Sequence, residues 1–204
     1  MIKIVDYGLG NIQAFVNVYR RLHIQVEVAR TPDELKGASK IILPGVGAFD
    51  HAIEKLNDSG MRDVLEKLVL VDKVPVLGIC VGMQILASSS DEGSLPGLGW
   101  VPGRVKAFSQ VEGFENIAVP HMGWNDVSPL VDSILFRGME DSASFYFLHS
   151  FFYECDNELN ISATSQYNMK FTCAVNEGNV YGVQFHPEKS HHCGVGLLKN
   201  FAEI

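Results

Sequence analysis

Val74-Pro75-Val76-Leu77-Gly78-Ile79-Cys80-Val81-Gly82-Met83-Gln84 is the stretch whose reading decides the fold. Val74–Ile79 is an apolar run without polar alternation, the pattern of a strand buried on both faces. After Cys80 the pattern turns helical. A residue on so sharp a strand-to-helix turn sits in a strained backbone with its side chain exposed. Small residues two before and two after it let the flanking chain pass closely, the serine version of the pattern being G-x-S-x-G. Here those residues are Gly78 and Gly82, and the central one is a cysteine.

Upstream, strand and helix signals alternate. Ile2–Val5 reads as a short strand followed by the turn Tyr7-Gly8-Leu9-Gly10. Asn11 is placed to cap a helix through Leu22, with Ile12, Phe15, Val16 and Tyr19 at helical spacing. Gln25–Ala29 reads as a second strand. Thr31-Pro32-Asp33-Glu34 reads as a helix start with a cap, proline at the first position and early acids. Lys40–Leu43 reads as a third strand ending in Pro44-Gly45-Val46-Gly47, and a helical region broken near Gly60 follows. Buried strands separated by helices predict a three-layer α/β fold, an open, largely parallel sheet with helices on both faces. Such folds place ligands at the strand ends.

From about Leu95 the texture becomes strand-rich. Arg104–Phe108, Ile117–Val119, Ser144–Phe152, Ile161–Ser165, Phe171–Val175 and Val180–Phe185 read as strands, with a hairpin loop at Asn176–Asn179. Gly196–Ala202 closes the chain as a short helix. No linker or repeat interrupts this order, so residues 1–204 are expected to form a single domain.

The 204 residues carry a net charge of −8, which argues against a nucleic-acid or anionic-membrane partner. The longest uncharged stretch, Val74–Ser90, contains Pro75, Gly78 and Gly82 and reads as strand plus helix, not as a membrane span. No signal peptide is visible, which favours reduced thiols for Cys80, Cys155, Cys173 and Cys193 and a cytoplasmic location.

Two effects favour chemistry at Cys80. The following helix N-terminus would stabilise a thiolate, and the Val81 amide could face an oxyanion. Gln84 lies one helical turn beyond, on the same face. The second signal is Gln184-Phe185-His186-Pro187-Glu188, at the end of the last apolar strand. Two apart in an extended segment, His186 and Glu188 project the same way, so the carboxylate can orient the imidazole. The combination is a Cys-His-Glu triad.

At these residues the sequence resembles the class I (triad) glutamine amidotransferases, in particular the glutaminase subunits of imidazole glycerol phosphate synthases. The motifs are Asp6-Tyr7-Gly8-Leu9-Gly10-Asn11, Pro44–Gly47, Gly78–Gln84, Pro120-His121-Met122-Gly123-Trp124-Asn125, Tyr146-Phe147-Leu148-His149-Ser150 and His186-Pro187-Glu188-Lys189-Ser190. The resemblance implies hydrolysis of glutamine in histidine biosynthesis. Ammonia would pass to a (β/α)₈ cyclase partner in a heterodimer, with no cofactor. It further implies Cys80 as nucleophile, His186 as acid and base, and Glu188 as its orienter. Val81 and the Val46–Gly47 loop would supply the oxyanion donors. Gln84, Glu92, His149 and Ser150 would contact glutamine, and Met122, Trp124 and Lys189 would face the synthase.

The chain departs from that pattern after Lys189-Ser190, where the family usually has glutamine and this sequence has His191-His192-Cys193. Adjacent residues seldom chelate one ion and no matching cluster lies elsewhere, so no metal is expected and the tract reads as a solvated turn. Gly8-Leu9-Gly10 lacks the third glycine of a dinucleotide loop, since Gln13 occupies it. Three other functions compete with the first. They are the same glutaminase serving a surface-sugar amidotransferase, a stand-alone Cys-dependent amide hydrolase, and a regulatory or metal-binding module.

Overall fold

The computed structural model describes residues 1–114, 117–130, 133–139 and 143–204. The N-terminal half is built as β1 (Ile2–Val5), α1 (Ile12–Arg21), β2 (Val26–Ala29), α2 (Pro32–Leu35), β3 (Lys40–Gly45), α3 (Phe49–Asp58), α4 (Arg62–Glu66), β4 (Val76–Cys80) and α5 (Val81–Gln84). Local chemistry sets the boundaries. Asn11 Oδ1 accepts from the Ala14 amide, and Thr31 Oγ1 accepts from the Glu34 amide. Gly60, at φ +68°, separates α3 from α4 in the left-handed conformation that glycine adopts freely.

The C-terminal half continues with β5 (Ser89–Ser90), β6 (Gly103–Ala107), β7 (His121–Pro129), β8 (Ser144–His149), β9 (Phe151–Cys155), β10 (Ile161–Tyr167), β11 (Met169–Glu177), β12 (Val180–Val183) and α6 (His191–Glu203). The main sheet runs β2-β1-β3-β4-β12-β11-β10-β7-β8. It is parallel from β2 to β12 and antiparallel beyond. β6 and β9 form a side ladder that joins β11 through Thr172 and Tyr153.

The strand order places the helices. β1 to β2 steps one way and β2 to β3 to β4 steps the other, and right-handed crossovers put α1 on one face and α2 and α3 on the opposite one. α6 packs against α1, and α5 against α3, which covers both faces. The reversal between β1 and β3 is the kind of switch point where α/β sheets open a crevice at the carboxyl ends of their strands. The turn after β1, the loop after β3 and Cys80 at the end of β4 all lie there.

Four sequence expectations are revised. Ile117–Val119 is a bent loop, because a three-residue run stopped by Pro120 has too few amides for a ladder. The strand begins at His121, with His121 and Val127 buried and Met122, Trp124 and Asp126 exposed. Ser144–Phe152 divides at Ser150 into β8 and β9, which pair with different partners. The closing helix starts at His191, five residues before the expected Gly196, so the His-His-Cys tract is its first turn, with His191 and His192 exposed and Cys193 buried.

The glycines around Cys80 are required by clearance. A Cβ on Gly82 would lie 2.0 Å from the Leu43 carbonyl oxygen, one on Gly78 2.5 Å from the Gly82 oxygen, and one on Gly45 2.4 Å from the Gly82 nitrogen. All three contacts are to backbone, which cannot move aside. Gly82→Ala should therefore lower stability by about 3 kcal/mol. Gly8→Ala, at φ +92° but with open space around it, should cost about 1–2 kcal/mol. Urea unfolding midpoints of the two variants would check that order.

Candidate active site

Cys80 ends β4 at φ +56° and ψ −114°, a conformation that a non-glycine residue holds only when its surroundings impose it. Gly45 is paired across from it on β3, and α5 begins at the next residue. α5 is a single turn, so a helix dipole contributes less than the sequence suggests. The polarising group is His186, which borders the same cavity as Cys80. Its Nδ1 lies 2.9 Å from Glu188 Oε1.

His186 and Glu188 meet by a route other than an extended strand. The chain leaves β12 and makes a 3₁₀ turn over Pro187–Lys189, with His186 capping it. Three bonds fix this turn. The His186 amide donates to the Tyr146 carbonyl, the Ser190 hydroxyl donates to the His186 carbonyl, and the Tyr146 amide donates to Ser190 Oγ. Both triad side chains are almost fully buried. Burial alone would lower the His186 pKa, but hydrogen bonds and charge from Cys80 and Glu188 outweigh it and push the value up to about 10. His186 is thus built to hold a proton beside the nucleophile. Among the described residues Glu188 Oε2 has no hydrogen-bond partner, so the carboxylate's main compensation is the imidazolium.

Cys80 and His186 line a cavity of about 260 Å³. Val46, Gly47 and Val81 border it beside Cys80, and Gln84, Glu92, His149 and Ser150 border it further out. Gly47 stands at φ +93°, and the root of its loop is held by the Tyr7 hydroxyl, which donates to the Pro44 carbonyl at 2.7 Å. Glu92 Oε2 accepts from the Phe49 amide, closing the far end of the same loop. Gln84 Nε2 donates to Gln184 Oε1, and Gln184 Nε2 donates to Cys80 Sγ at 3.9 Å. Gln184 is the site residue that sequence reasoning passed over. It lies just past the end of β12, two positions before His186, and its place in the run into His186 was the available signal.

The sequence profile described as "Glutamine amidotransferase class-I" matches residues 3–203. The chain belongs to the class-I glutamine amidotransferase family. Among similar amidotransferase sequences is the "Imidazole glycerol phosphate synthase subunit HisH" of Bdellovibrio bacteriovorus, 71% identical over the whole of both chains. The protein of the same name from Leptospira interrogans is 52% identical, again over both full lengths. Solved amidotransferase structures share the fold at low identity. A "glutamine amidotransferase" superposes with TM-score 0.75 at 20% identity, covering 99% of this chain and 97% of the other. A second, from Thermotoga maritima, gives 0.64 at 18%, covering 99% and 82%.

In this amidotransferase the residues expected to face a partner share one surface beside the cavity. Met122 is 64% and Trp124 49% exposed, with Leu148 and Val119 also open to solvent. Lys189 is exposed, its Nζ 5.7 Å above the Tyr146 ring. His191 stacks on Trp124 with ring centroids 5.0 Å apart, while Cys193 is buried. Among the described residues no group of three or more His, Cys, Asp or Glu could hold a metal ion, and no helix is long and apolar enough to cross a membrane.

Glu188→Gln keeps the shape of the His186 partner but removes the charge that favours imidazolium. The His186 pKa should then fall by about one unit or more. Imidazole titration followed by NMR would measure it, the wild-type ring holding its proton to about pH 10.

Proposed function

We infer that this protein is the glutaminase subunit of an imidazole glycerol phosphate synthase, hydrolysing glutamine to glutamate and ammonia in histidine biosynthesis. The observation that carries the chemistry is Cys80 and His186 together on the wall of an open cavity, with Glu188 buried behind the imidazole. Near-complete identity of length with the curated relatives supports the pathway.

The Cys80 sulfur passes its proton to His186, attacks the side-chain amide carbon of glutamine and forms the C–S bond. Negative charge moves to the amide oxygen, where the Val81 amide and an amide of the Val46–Gly47 loop receive it. Removing one such donor typically costs about 10²–10³ in rate. His186 gives its proton to the nitrogen, the C–N bond breaks, and ammonia leaves a glutamyl thioester. Neutral His186 then takes a proton from water as the oxygen attacks. Collapse of the second tetrahedral species breaks the C–S bond, the sulfur regains the proton held by His186, and the product acid leaves as glutamate after losing its proton to solvent. Glu188 holds the imidazole by Nδ1 so that Nε2 faces the reaction.

Glutamine lies against Gln84, Glu92, His149 and Ser150 in this reading. The partner is the synthase's cyclase subunit, a (β/α)₈ barrel that docks on Met122, Trp124 and Lys189 and receives the ammonia; both work in the cytoplasm. The apolar exposure of Met122 and Trp124 beside the cavity supports a docked face.

Adding the cyclase subunit should raise glutamine hydrolysis strongly, and Cys80→Ala should reduce it by about 10⁴-fold or more. Ammonia release with and without partner checks both. Full activity in Cys80→Ala would exclude the thioester route. A complex that forms no imidazole product would move the protein to another acceptor.

A further inference from the structure

His149 borders the cavity, yet both of its ring nitrogens are engaged by the protein. Nδ1 lies 2.7 Å from the Phe151 carbonyl oxygen. A carbonyl only accepts, so Nδ1 carries the hydrogen and Nε2 of the neutral ring presents a lone pair. His121 Nδ1 lies 2.9 Å from that lone pair and must donate to it. His121 Nε2 is left as an acceptor, and Asn125 Nδ2 sits 3.1 Å away. The Asn125 amide cannot be reversed. Its Nδ2 also donates to the Gln166 carbonyl at 2.8 Å, and its Oδ1 accepts from the Asp126 amide at 2.8 Å.

The chain Asn125→His121→His149→Phe151 therefore runs in one direction only, fixed at both ends by backbone groups. A proton added to either ring would set two N–H groups against each other. Burial is the main cause that lowers the His149 pKa to about 3 and the His121 pKa to about 4.

The last bond of this chain spans a corner. β8 pairs with β7 up to His149 opposite His121, and β9 pairs with β6 from Phe151 opposite Ala107. Ser150 is the turning point, and Leu148, His149, Ser150 and Phe151 all border the cavity. The His121 ring is sandwiched between Phe147 and Tyr167, at centroid distances of 4.8 and 4.1 Å. Stacking fixes its plane and the hydrogen bonds fix which nitrogen points where.

We propose that His121 is a positioning residue for glutamine binding: its Nδ1–H holds His149 in the tautomer that ties the Ser150 corner, and so sets the cavity wall. The proposal rests on the glutaminase reading and gives His149 no part in proton transfer, since neither nitrogen is open to substrate.

Two variants test it in the complex with the cyclase subunit. His121→Phe keeps the aromatic sandwich and removes both nitrogens. Asn125→Leu keeps the approximate bulk and introduces no charge but removes the donor, which leaves His121 Nε2 without its partner and frees the hydrogen to move between the ring nitrogens. Nitrogen-15 shifts of His149 should show the Nδ1–H tautomer alone in the wild type and a mixture in both variants. The KM for glutamine should rise about tenfold, the loss of one hydrogen bond, with kcat within about twofold. An unchanged KM in His121→Phe or in Asn125→Leu would overturn the proposal, as would a fall in kcat at constant KM or a wild-type His149 protonated on Nε2. The nitrogen shifts are read without glutamine, so an inactive wild-type complex would count against the glutaminase reading and not against the relay.

Discussion

The backbone of Cys80 is held where a residue with a side chain rarely stays, and three neighbours without side chains make that possible. Left-handed φ at a non-glycine residue costs of order 1–3 kcal/mol and persists only when the surroundings over-determine it. Gly45, Gly78 and Gly82 let the ends of β3 and β4 and the turn of α5 cross at backbone contact. That crossing places Val81, the thiol and the loop after β3 together at the carboxyl ends of two interior strands. It also anchors the loop, because Gly45 is fixed by the crossing and Phe49 by Glu92. Only Val46, Gly47 and Ala48 hang between, so the loop stays close to the sulfur whatever its orientation.

Two histidine systems at the same cavity are driven apart in charge by their partners. His186 lies between a sulfur and a carboxylate, both of which favour its cation. His121 and His149 lie between a side-chain amide and a carbonyl, which favour neutral rings of defined tautomer. Burial acts against the cation in both places, and only His186 has anionic neighbours to overcome it. Pairs of titratable groups with diverging environments divide the roles at a site, one to move protons and the other to hold shape.

Much of this was legible in the sequence where residue type and spacing have one physical outcome. The apolar run into Cys80, the asparagine and threonine caps and the hairpin at Gly178 all read directly, because each rests on local geometry. The triad pairing was legible too, though for a different shape, since His186 and Glu188 meet across a 3₁₀ turn and not along a strand. What sequence could not give was long-range. β7 is rich in polar residues and is made a strand by pairing with β8 and β10. The break at Ser150 depends on β6 and β7 competing for one segment. His149 reads as a pocket residue by position, while its hydrogen bonds are set by His121, twenty-eight residues away.

The partnership of β4 and β12 has a consequence for how the chain is made. The nucleophile ends one strand and the base follows the other, and these strands are adjacent, in register from Val76 with Val180 to Ile79 with Val183. About a hundred residues separate them in order of synthesis. Until the later strand arrives, the fully buried Val76–Cys80 segment is an open apolar edge, the kind of surface that recruits other chains. A nascent chain therefore exposes its most adhesive strand before it has a catalytic base. Insertion of one short strand ends both conditions at once.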